Sequence, residues 1–332
     1  MFERVRLNRG LALAISVSLC SFTSVSCQEQ AASVKSANAA SEKSAKGTDF
    51  DAKRAYDHMK KMCDLGPRPS GSQAIKAAQS YIQGELSGYG LKVIEDNFLG
   101  QTPRGAIPMK NIIAEVPGEK SDLVLVTGHY DTKLQAGFIG ANDGASSAAA
   151  VLETARVLAK TKPEYTLWFV LFDGEEAVVE WQGNDNTYGS RHLVEKMRTD
   201  GSLSRVRAMI LYDMIGDKNL DIKRDMESTP WLVDVIWNAA QQIGHARMFL
   251  GNETAISDDH IPFREAGVPA ADLIDFNYGP DNGYWHTNDD TLDKVSGESV
   301  KIVGDVVITA LPEIFKRLKT GNSAGDRRRV IQ

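Results

Sequence analysis

Cysteine is scarce in this chain of 332 residues, and its scarcity excludes a disulfide framework. Only three cysteines occur, and two of them, Cys20 and Cys27, lie near the N-terminus. If both belong to a signal and anchor, Cys63 is the only cysteine in the folded part, and no intrachain disulfide can form. The same scarcity argues against a structural zinc site, which is usually built from cysteines.

Long basic runs are also absent, and this argues against a nucleic-acid partner. The net charge is −6, whereas binding to phosphate backbones requires clustered Lys and Arg. The short run from Arg327 to Arg329 near the C-terminus is typical of a solvated tail. We therefore expect residues 321–332 to form a flexible tail.

The hydrophobic stretch near the N-terminus, residues 11–25, is too short and too interrupted by Ser for a comfortable membrane span. Three arginines precede this stretch: Arg4, Arg6 and Arg9. A charged start followed by a short apolar segment predicts an export signal over residues 1–27.

Cys27 closes that segment, and the three residues before it resemble a bacterial lipoprotein cleavage site, except that Ser24 stands where Leu is usual. Lipid attachment at Cys27 and plain cleavage nearby both stay open, so the protein is expected to be periplasmic or anchored to a membrane as a lipoprotein. Residues 28–48 are rich in Ala, Ser, Lys and Glu without an apolar face, which predicts a disordered tether.

Apolar runs of strand length alternate with helical segments through residues 49–320, which predicts one α/β catalytic domain. The expected fold has three layers, α/β/α, with a mostly parallel mixed sheet and helices on both faces. Strands are predicted at 111–116, 123–128, 167–172, 209–212 and 271–274. Helices are predicted at about 50–65, 72–89, 144–158, 190–197, 231–243 and 295–318.

Polar clusters follow the predicted strands, where open α/β sheets bind ligands. Glu175 and Glu176 follow the strand at 167–172, and neither carboxylate could stay unpaired there at low cost. Adjacent residues at a turn point in different directions, so one can bind a metal while the other faces water or substrate. His129 and Asp131 follow another strand and can project to the same side.

Two further fragments complete a candidate metal site. Asp143 precedes a helix of small residues, and His286 lies in a loop rich in Gly, Pro and Asn. Taken singly, the Asp would be an ordinary N-cap and the His a surface residue. Together with the clusters after the strands they can supply one imidazole and two carboxylates, an accepted ligand set for catalytic zinc with an open fourth position. These fragments therefore predict a catalytic zinc site.

Five blocks follow one another along the chain: His129-Tyr130-Asp131, Gly140-Ala141-Asn142-Asp143, Glu175-Glu176, Asp213-Met214-Ile215-Gly216 and His286-Thr287. Through these blocks, residues 52–318 resemble the zinc-dependent exopeptidase family that includes co-catalytic aminopeptidases and the animal-type glutaminyl-peptide cyclotransferases. Both branches share the blocks. The shared blocks imply the fold and the metal site, but they do not imply the reaction.

Other blocks are similar to the cyclase branch in particular. They are residues 172–177 continuing through Trp181 to Asp185 and 188–193, residues 258–263 with 267–269, and Trp285 directly before His286. This resemblance implies a glutaminyl cyclase, an acyltransferase that converts an N-terminal Gln to pyroglutamate and releases ammonia. Two positions depart from it. Residues 213–216 are as typical of aminopeptidases, and Gly128 stands where vertebrate cyclases have a cysteine.

The resemblance also implies roles for individual residues. Asp143, Glu176 and His286 would hold one zinc ion. Glu175 would carry a proton from the attacking amine to the departing ammonia. Asp258, with Asp213 nearby, would share that proton. Trp181 and Trp285 would form apolar walls around the Gln side chain.

Two alternative functions stay open. His129 and Asp213 match the positions that complete a second metal site in aminopeptidases, so one zinc ion is expected and two remain an alternative. An aminopeptidase would use Glu175 to activate water against the first peptide bond. A catalytically silent peptide-binding domain would lack a ligand or a base, and none is missing. The expected partners are N-terminal segments of peptides or proteins, and the expected state is a monomer.

Overall fold

A mixed β-sheet of six strands runs through the centre of residues 48–320, the part of the chain that the computed structural model describes. The strands of this part are, in chain order, β1 (Lys92–Thr102), β2 (Gly105–Val116), β3 (Lys120–His129), β4 (Tyr165–Phe172), β5 (Val206–Asp213), β6 (Ile222–Asp225), β7 (Phe249–Thr254) and β8 (Ala270–Ile274). The large sheet has the order β1-β2-β4-β3-β5-β8, and β6 and β7 pair separately.

Four neighbouring strands, β4, β3, β5 and β8, run parallel, whereas β1 and β2 are antiparallel additions at one edge. The central strand β3 is buried from Leu123 to His129. A parallel strand that is covered on both faces usually has a continuous apolar sequence. For this reason β3 could be predicted from the sequence. The predicted mostly parallel mixed sheet is confirmed.

Helices cover both faces of this sheet. Those of the described residues are α1 (Ala52–Asp64), α2 (Gln73–Gly88), α3 (Ala145–Leu158), α4 (Tyr188–Thr199), α5 (Pro230–Gln242), α6 (His260–Glu265) and α7 (Gly297–Thr320), with short 3-10 helices at Ser202–Arg205 and Pro280–Asn282. Val124 and Val126 of β3 pack into a core cluster with α1, α2, α3, α5 and α7, whereas Leu123 and Leu125 pack with α4. Because alternate strand residues face opposite sides, the two clusters define the outer layers of the predicted α/β/α fold.

Helix α3 lies between the sheet and the outer helices α1 and α7. Twelve of its 14 residues are buried, and most of its first turns are Ala and Ser, whose small side chains permit this close packing. The helix begins at Ala145, directly after Asp143 and Gly144. Its tight packing therefore fixes the place of Asp143.

All predicted strands and helices are present, although β2 begins earlier, at Gly105, and most ends differ by one or two residues, as element ends usually do. The sequence patterns did not predict β1, β6, β7 and α6. Strand β1 is a largely exposed edge strand with a polar sequence. Strands β6 and β7 are short, and the six residues of α6 include Pro262. None of these elements carries the long apolar pattern on which such predictions depend.

No helix among residues 48–320 is long and apolar enough to cross a membrane. The predicted export signal (1–27), nearly all of the predicted tether (28–48) and the predicted tail (321–332) lie outside the described residues. Thr48, at the end of the predicted tether, donates a hydrogen bond to Asp305 of α7.

Asp96 on β1 gives a pH-dependent contribution to stability. Burial alone would raise the pKa of this carboxyl, but hydrogen bonds from His192, Lys196 and Asn111 lower it to about 2. A lowered pKa stabilises the fold above the unfolded value near 4, and this stabilisation is lost as the pH falls toward 2. We expect Asp96→Asn to cost about 2 kcal/mol at pH 7 and much less at pH 2, as measured by urea unfolding.

The exposed carboxylate of Asp57, which pairs with Lys53 at 2.6 Å, provides the control. Because exposed pairs contribute little, Asp57→Asn should leave stability nearly unchanged at both pH values. An Asp96→Asn cost that is equal at pH 7 and pH 2 would contradict the assignment.

Candidate functional site

The acidic and imidazole side chains singled out in the sequence meet at the carboxyl edge of the parallel strands. His129 is the last residue of β3, Asp213 is the last residue of β5, and Glu175 and Glu176 follow β4. Since β4 and β5 flank β3 on either side, three strand ends deliver these side chains to one place. Asp143 reaches the same place from the loop before α3.

Asp143, Glu176 and His286 form a three-residue cluster whose ligand atoms all lie within 4.8 Å of one another. His286 Nε2 is 3.3 Å from Asp143 Oδ2 and 3.4 Å from Glu176 Oε2. Both of these oxygens are buried, yet neither has a hydrogen-bond partner among the described residues. The three atoms therefore point toward a common centre, and not along hydrogen bonds to each other.

This cluster fits a metal ion by its chemistry as well as its shape. Buried carboxylate oxygens without hydrogen-bond partners are costly unless a cation meets them. Two carboxylates and one imidazole suit a divalent ion such as zinc and leave a coordination position open. The other oxygen of Glu176 accepts a hydrogen bond from the Lys133 main-chain N–H at 3.1 Å, which orients the carboxylate and leaves Oε2 free.

The charges of this cluster are balanced against one another. Burial raises the pKa of Glu176 to about 7, with a further contribution from the charge of Asp143. Burial would lower the pKa of His286, but the close carboxylates of Asp143 and Glu176 raise it to about 9. A bound divalent cation would take over the role of the His286 proton and favour ionised carboxylates.

A second cluster shares one residue with the first and consists of His129, Asp143 and Asp213. His129 Nε2 lies 3.0 Å from Asp213 Oδ1 and 3.3 Å from Asp143 Oδ1. Ser147 on α3 donates a hydrogen bond to the same Asp213 oxygen at 3.2 Å. Burial alone would lower the pKa of His129, but the charge of Glu175 and hydrogen bonds to the surrounding aspartates raise it well above its usual value. The acidic side chains around His129 therefore favour its protonated, cationic form.

Glu175 diverges from its neighbour Glu176 and faces the second cluster, as expected for adjacent residues at a turn. Its Oε2 lies 3.7 Å from His129 Nδ1, and the side chain is buried. Burial raises the pKa of Glu175 well above its usual value, and the charges of Asp258, Glu176 and Asp213 add to the effect, whereas His129 opposes it.

Asp258 belongs to the same buried acidic group. Burial and the charges of Asp213 and Asp259 raise its pKa well above its usual value. Glu175 and Asp258 are therefore carboxyls that hold a proton more readily than exposed ones. Because they interact, they titrate as a group and not one at a time.

Two buried aspartates hold the backbones of the ligand loops. Asp131 accepts hydrogen bonds from the main-chain N–H groups of Glu175 at 3.2 Å and Glu176 at 3.3 Å. Asp290 accepts hydrogen bonds from the N–H groups of Asn142 at 2.7 Å and Asp143 at 3.0 Å. Sequence reasoning found Asp131 through its nearness to His129 but missed Asp290, whose only signal is its position in the loop of His286.

Backbone conformation at the site is restricted in a way that indicates function. His286 has φ +54°, in the left-handed region that non-glycine residues adopt at a cost of roughly 1–3 kcal/mol. Gly144, between Asp143 and α3, has φ +92°, and a Cβ there would lie 2.3 Å from the Asp131 carbonyl oxygen. Only glycine permits this approach of the two loops.

Trp285 and Trp181 differ in their surroundings. Trp285 is partly buried, stacks on His286 with a centroid distance of 4.0 Å, and meets Phe276 edge-on at 4.8 Å. It therefore supports the imidazole directly. Trp181 is 38 % exposed in the loop that follows Glu176. The wall role predicted for both residues stays a prediction.

Comparison with known proteins places this geometry in a family. The sequence profile of peptidase family M28 matches residues 111–311. The glutaminyl-peptide cyclotransferase of Bos taurus is 32 % identical over 282 residues, which cover 71 % of this chain and 76 % of that protein.

Solved structures give the same picture. A glutaminyl cyclase from an Acidobacteriales bacterium is 39 % identical, with a TM-score of 0.78 over 81 % of this chain and 96 % of that one. A leucine aminopeptidase precursor from Bacteroides thetaiotaomicron is 27 % identical, with a TM-score of 0.71 over 79 % of this chain and 97 % of that one. Both branches implied by the shared sequence blocks thus have this fold.

Removal of a proposed ligand should strongly weaken metal binding. We expect His286→Ala and Asp143→Ala to weaken zinc affinity by more than about 100-fold, because even residues that only orient ligands are worth about 10–100-fold. The measurement is competition with a chromophoric chelator.

Bound zinc should also stabilise the wild-type fold. At a zinc concentration of 100 times the dissociation constant, the expected gain in the free energy of unfolding is about 2.7 kcal/mol.

His245, which lies after α5 and outside both clusters, supplies the control variant His245→Ala. It should bind zinc as the wild type does. Undiminished zinc binding by His286→Ala would show that the three-residue cluster is not the site.

Proposed function

Since the chain belongs to peptidase family M28, we propose that it is a zinc-dependent glutaminyl-peptide cyclotransferase that converts an N-terminal Gln of peptides or proteins to pyroglutamate and releases ammonia. The observation that carries this proposal is the convergence of Asp143, Glu176 and His286 beside the buried Glu175, in a chain 39 % identical to a bacterial glutaminyl cyclase.

Asp143, Glu176 and His286 would hold one zinc ion. When bound, zinc supplies Lewis-acid polarisation of a carbonyl group, here that of the substrate's side-chain amide. The residues around the ligands determine how firmly this position is held. The main-chain N–H of Lys133 donates to the Glu176 carboxylate. Asp290 accepts a hydrogen bond from the main-chain N–H of Asp143. Trp285 stacks on His286.

Glu175 would move the proton in the reaction. The substrate's α-amine attacks the side-chain amide carbon, so a carbon–nitrogen bond forms within the ring and the bond to the amide nitrogen breaks. The proton lost by the amine goes to Glu175 and then to the departing nitrogen, which leaves as ammonia. A buried carboxyl with a raised pKa suits this double role, because it can both accept and return a proton.

Asp258 and Asp213 would share that proton with Glu175. The charge of Asp213 helps to keep a proton on Asp258, so that the shared proton need not pass to bulk water between the two transfers. Trp181 and Trp285 would enclose the Gln side chain. Because nucleophile and electrophile belong to the same substrate, orientation and exclusion of water would supply much of the rate.

An aminopeptidase remains the second candidate function, and a specific observation favours it. His129, Asp143 and Asp213 form a second group of ligand type, and the leucine aminopeptidase precursor shares the fold. We propose that one zinc ion is bound and that His129 serves as the cation of the second group. Two bound ions would favour peptide hydrolysis with Glu175 as the base.

The proposed location is outside the cytoplasm, either free in the periplasm or anchored by a lipid at Cys27. This rests only on the residue pattern at positions 1–27. Mass spectrometry of the mature N-terminus distinguishes a lipidated Cys27 from plain cleavage and from an uncleaved chain. A monomer is proposed, and light scattering tests it.

A product assay separates the two reactions. We expect a Gln-initiated peptide to release one equivalent of ammonia and to lose the corresponding mass without shortening, because ring closure retains every residue. The same peptide with N-terminal Leu should be unchanged. Release of free amino acids from either peptide, with no ammonia, would favour the aminopeptidase.

Glu175→Gln tests the proton carrier. We expect it to lower kcat by at least about 100-fold, the usual contribution of general acid–base catalysis, while zinc stoichiometry stays unchanged. Glu180→Gln changes an exposed Glu of the same loop and should retain wild-type kcat. Wild-type turnover by Glu175→Gln would remove the role assigned to Glu175.

A further inference from the structure

Arg68 is the largest fully buried side chain of residues 48–320, with 0 % exposure. It lies in the segment between α1 and α2, flanked by Pro67 and Pro69. An arginine guanidinium stays charged in proteins. A buried charge is costly unless its environment compensates it, so the surroundings of Arg68 indicate what it is for.

The Arg68 guanidinium is compensated by main-chain carbonyl groups of the two ligand loops. Nε donates to the Tyr130 oxygen at 2.9 Å, Nη1 donates to Ile139 at 2.6 Å, and Nη2 donates to Gly140 at 2.9 Å. Tyr130 follows His129, and Gly140 is three residues before Asp143. One side chain thus connects the end of β3 to the loop that carries a ligand.

The main chain of Arg68 is fixed to the same region. Its N–H donates to the Thr132 hydroxyl at 2.9 Å, and the Thr132 N–H donates to the Arg68 carbonyl at 3.3 Å. The flanking prolines restrict the backbone before any contact forms. Arg68 is therefore held on both sides, and the loops that it binds are held with it.

Packing leaves little freedom around the guanidinium. A Cβ on Gly144 would lie 3.3 Å from Arg68 Nη2 and 2.3 Å from the Asp131 carbonyl oxygen. Burial lowers the pKa of Arg68, and the charges of Asp290, Asp131 and Asp143 are among those that oppose this shift. The guanidinium therefore lies within electrostatic reach of these acidic side chains, while its hydrogen bonds go to the backbone.

We propose that Arg68 is a positioning residue for the metal site, because it holds the backbones after His129 and before Asp143 at the separation that brings Asp143 Oδ2 to the centre shared with Glu176 and His286. It acts through the loops and does not contact the metal or the substrate. The proposal rests on the metal site of the proposed function, but it is independent of whether the enzyme cyclises or hydrolyses.

The test measures zinc affinity of the full chain without substrate. Arg68→Lys keeps the charge but cannot reach three carbonyl groups at once. We expect its zinc affinity, from competition with a chromophoric chelator, to fall by about 10–100-fold, and excess zinc to restore kcat while KM for a Gln-peptide stays near the wild-type value. Thr132→Val removes only the hydroxyl contact and should show a smaller loss in the same direction.

Arg156→Lys is the matched control, because Arg156 also donates to a main-chain carbonyl, that of Asp49, but lies at the end of α3 remote from Asp143. It should bind zinc normally. Folding of each variant is checked by circular dichroism at the temperature of the zinc measurement.

Three outcomes would overturn the inference. Arg68→Lys and Thr132→Val could bind zinc as the wild type does while their unfolding midpoints fall, which would make Arg68 a brace of the fold only. Arg156→Lys could lose as much zinc affinity as Arg68→Lys. Wild-type protein could bind no zinc, which would remove the metal site as well. A wild type that binds zinc but releases no ammonia overturns the proposed reaction alone.

Discussion

Buried carboxylates repel one another, and at the carboxyl edge of this sheet that repulsion has to be balanced by cations. Asp143 lies at the meeting point, with Oδ1 toward His129 and Oδ2 toward His286. Each imidazole gains a raised pKa from the acids around it. The site accordingly needs positive charge before it performs any chemistry, and a metal ion or a proton can supply it at each of the two positions.

Charged side chains that hold the backbone solve the problem of placing these acids. Three buried side chains form hydrogen bonds with main-chain groups of the loops that carry the candidate ligands, and not with the ligand side chains. They are Asp131, Asp290 and Arg68. Asp143 Oδ2 and Glu176 Oε2 therefore remain without hydrogen-bond partners among residues 48–320. A ligand that is already placed loses less freedom when a cation binds, and the same placement keeps Glu175 directed at its neighbours.

The sequence predicted the parts of this site that follow strand ends. These parts could be predicted because polar residues follow long apolar runs there. They are Glu175, Glu176, His129 and Asp213. The roles of Arg68 and Asp290 could not be predicted. Their side chains contact main-chain groups that are distant in the sequence, and no local pattern reveals such contacts. The left-handed backbone of His286 is likewise a product of the assembled loop. Strand β1 escaped prediction because an exposed edge strand need not be apolar.

The order of strands in the sheet has a consequence for how the protein matures. The chain passes from β3 out to β4, back across to β5 and then to β8, and His286 follows the last of these. No early fragment of the nascent chain contains all residues of either candidate cluster, and contacts so distant in sequence are slow to form. The clusters can therefore form only after the strands and loops that carry them have come together. A metal ion bound at either cluster would report that this assembly is complete, because metal binding is coupled to folding.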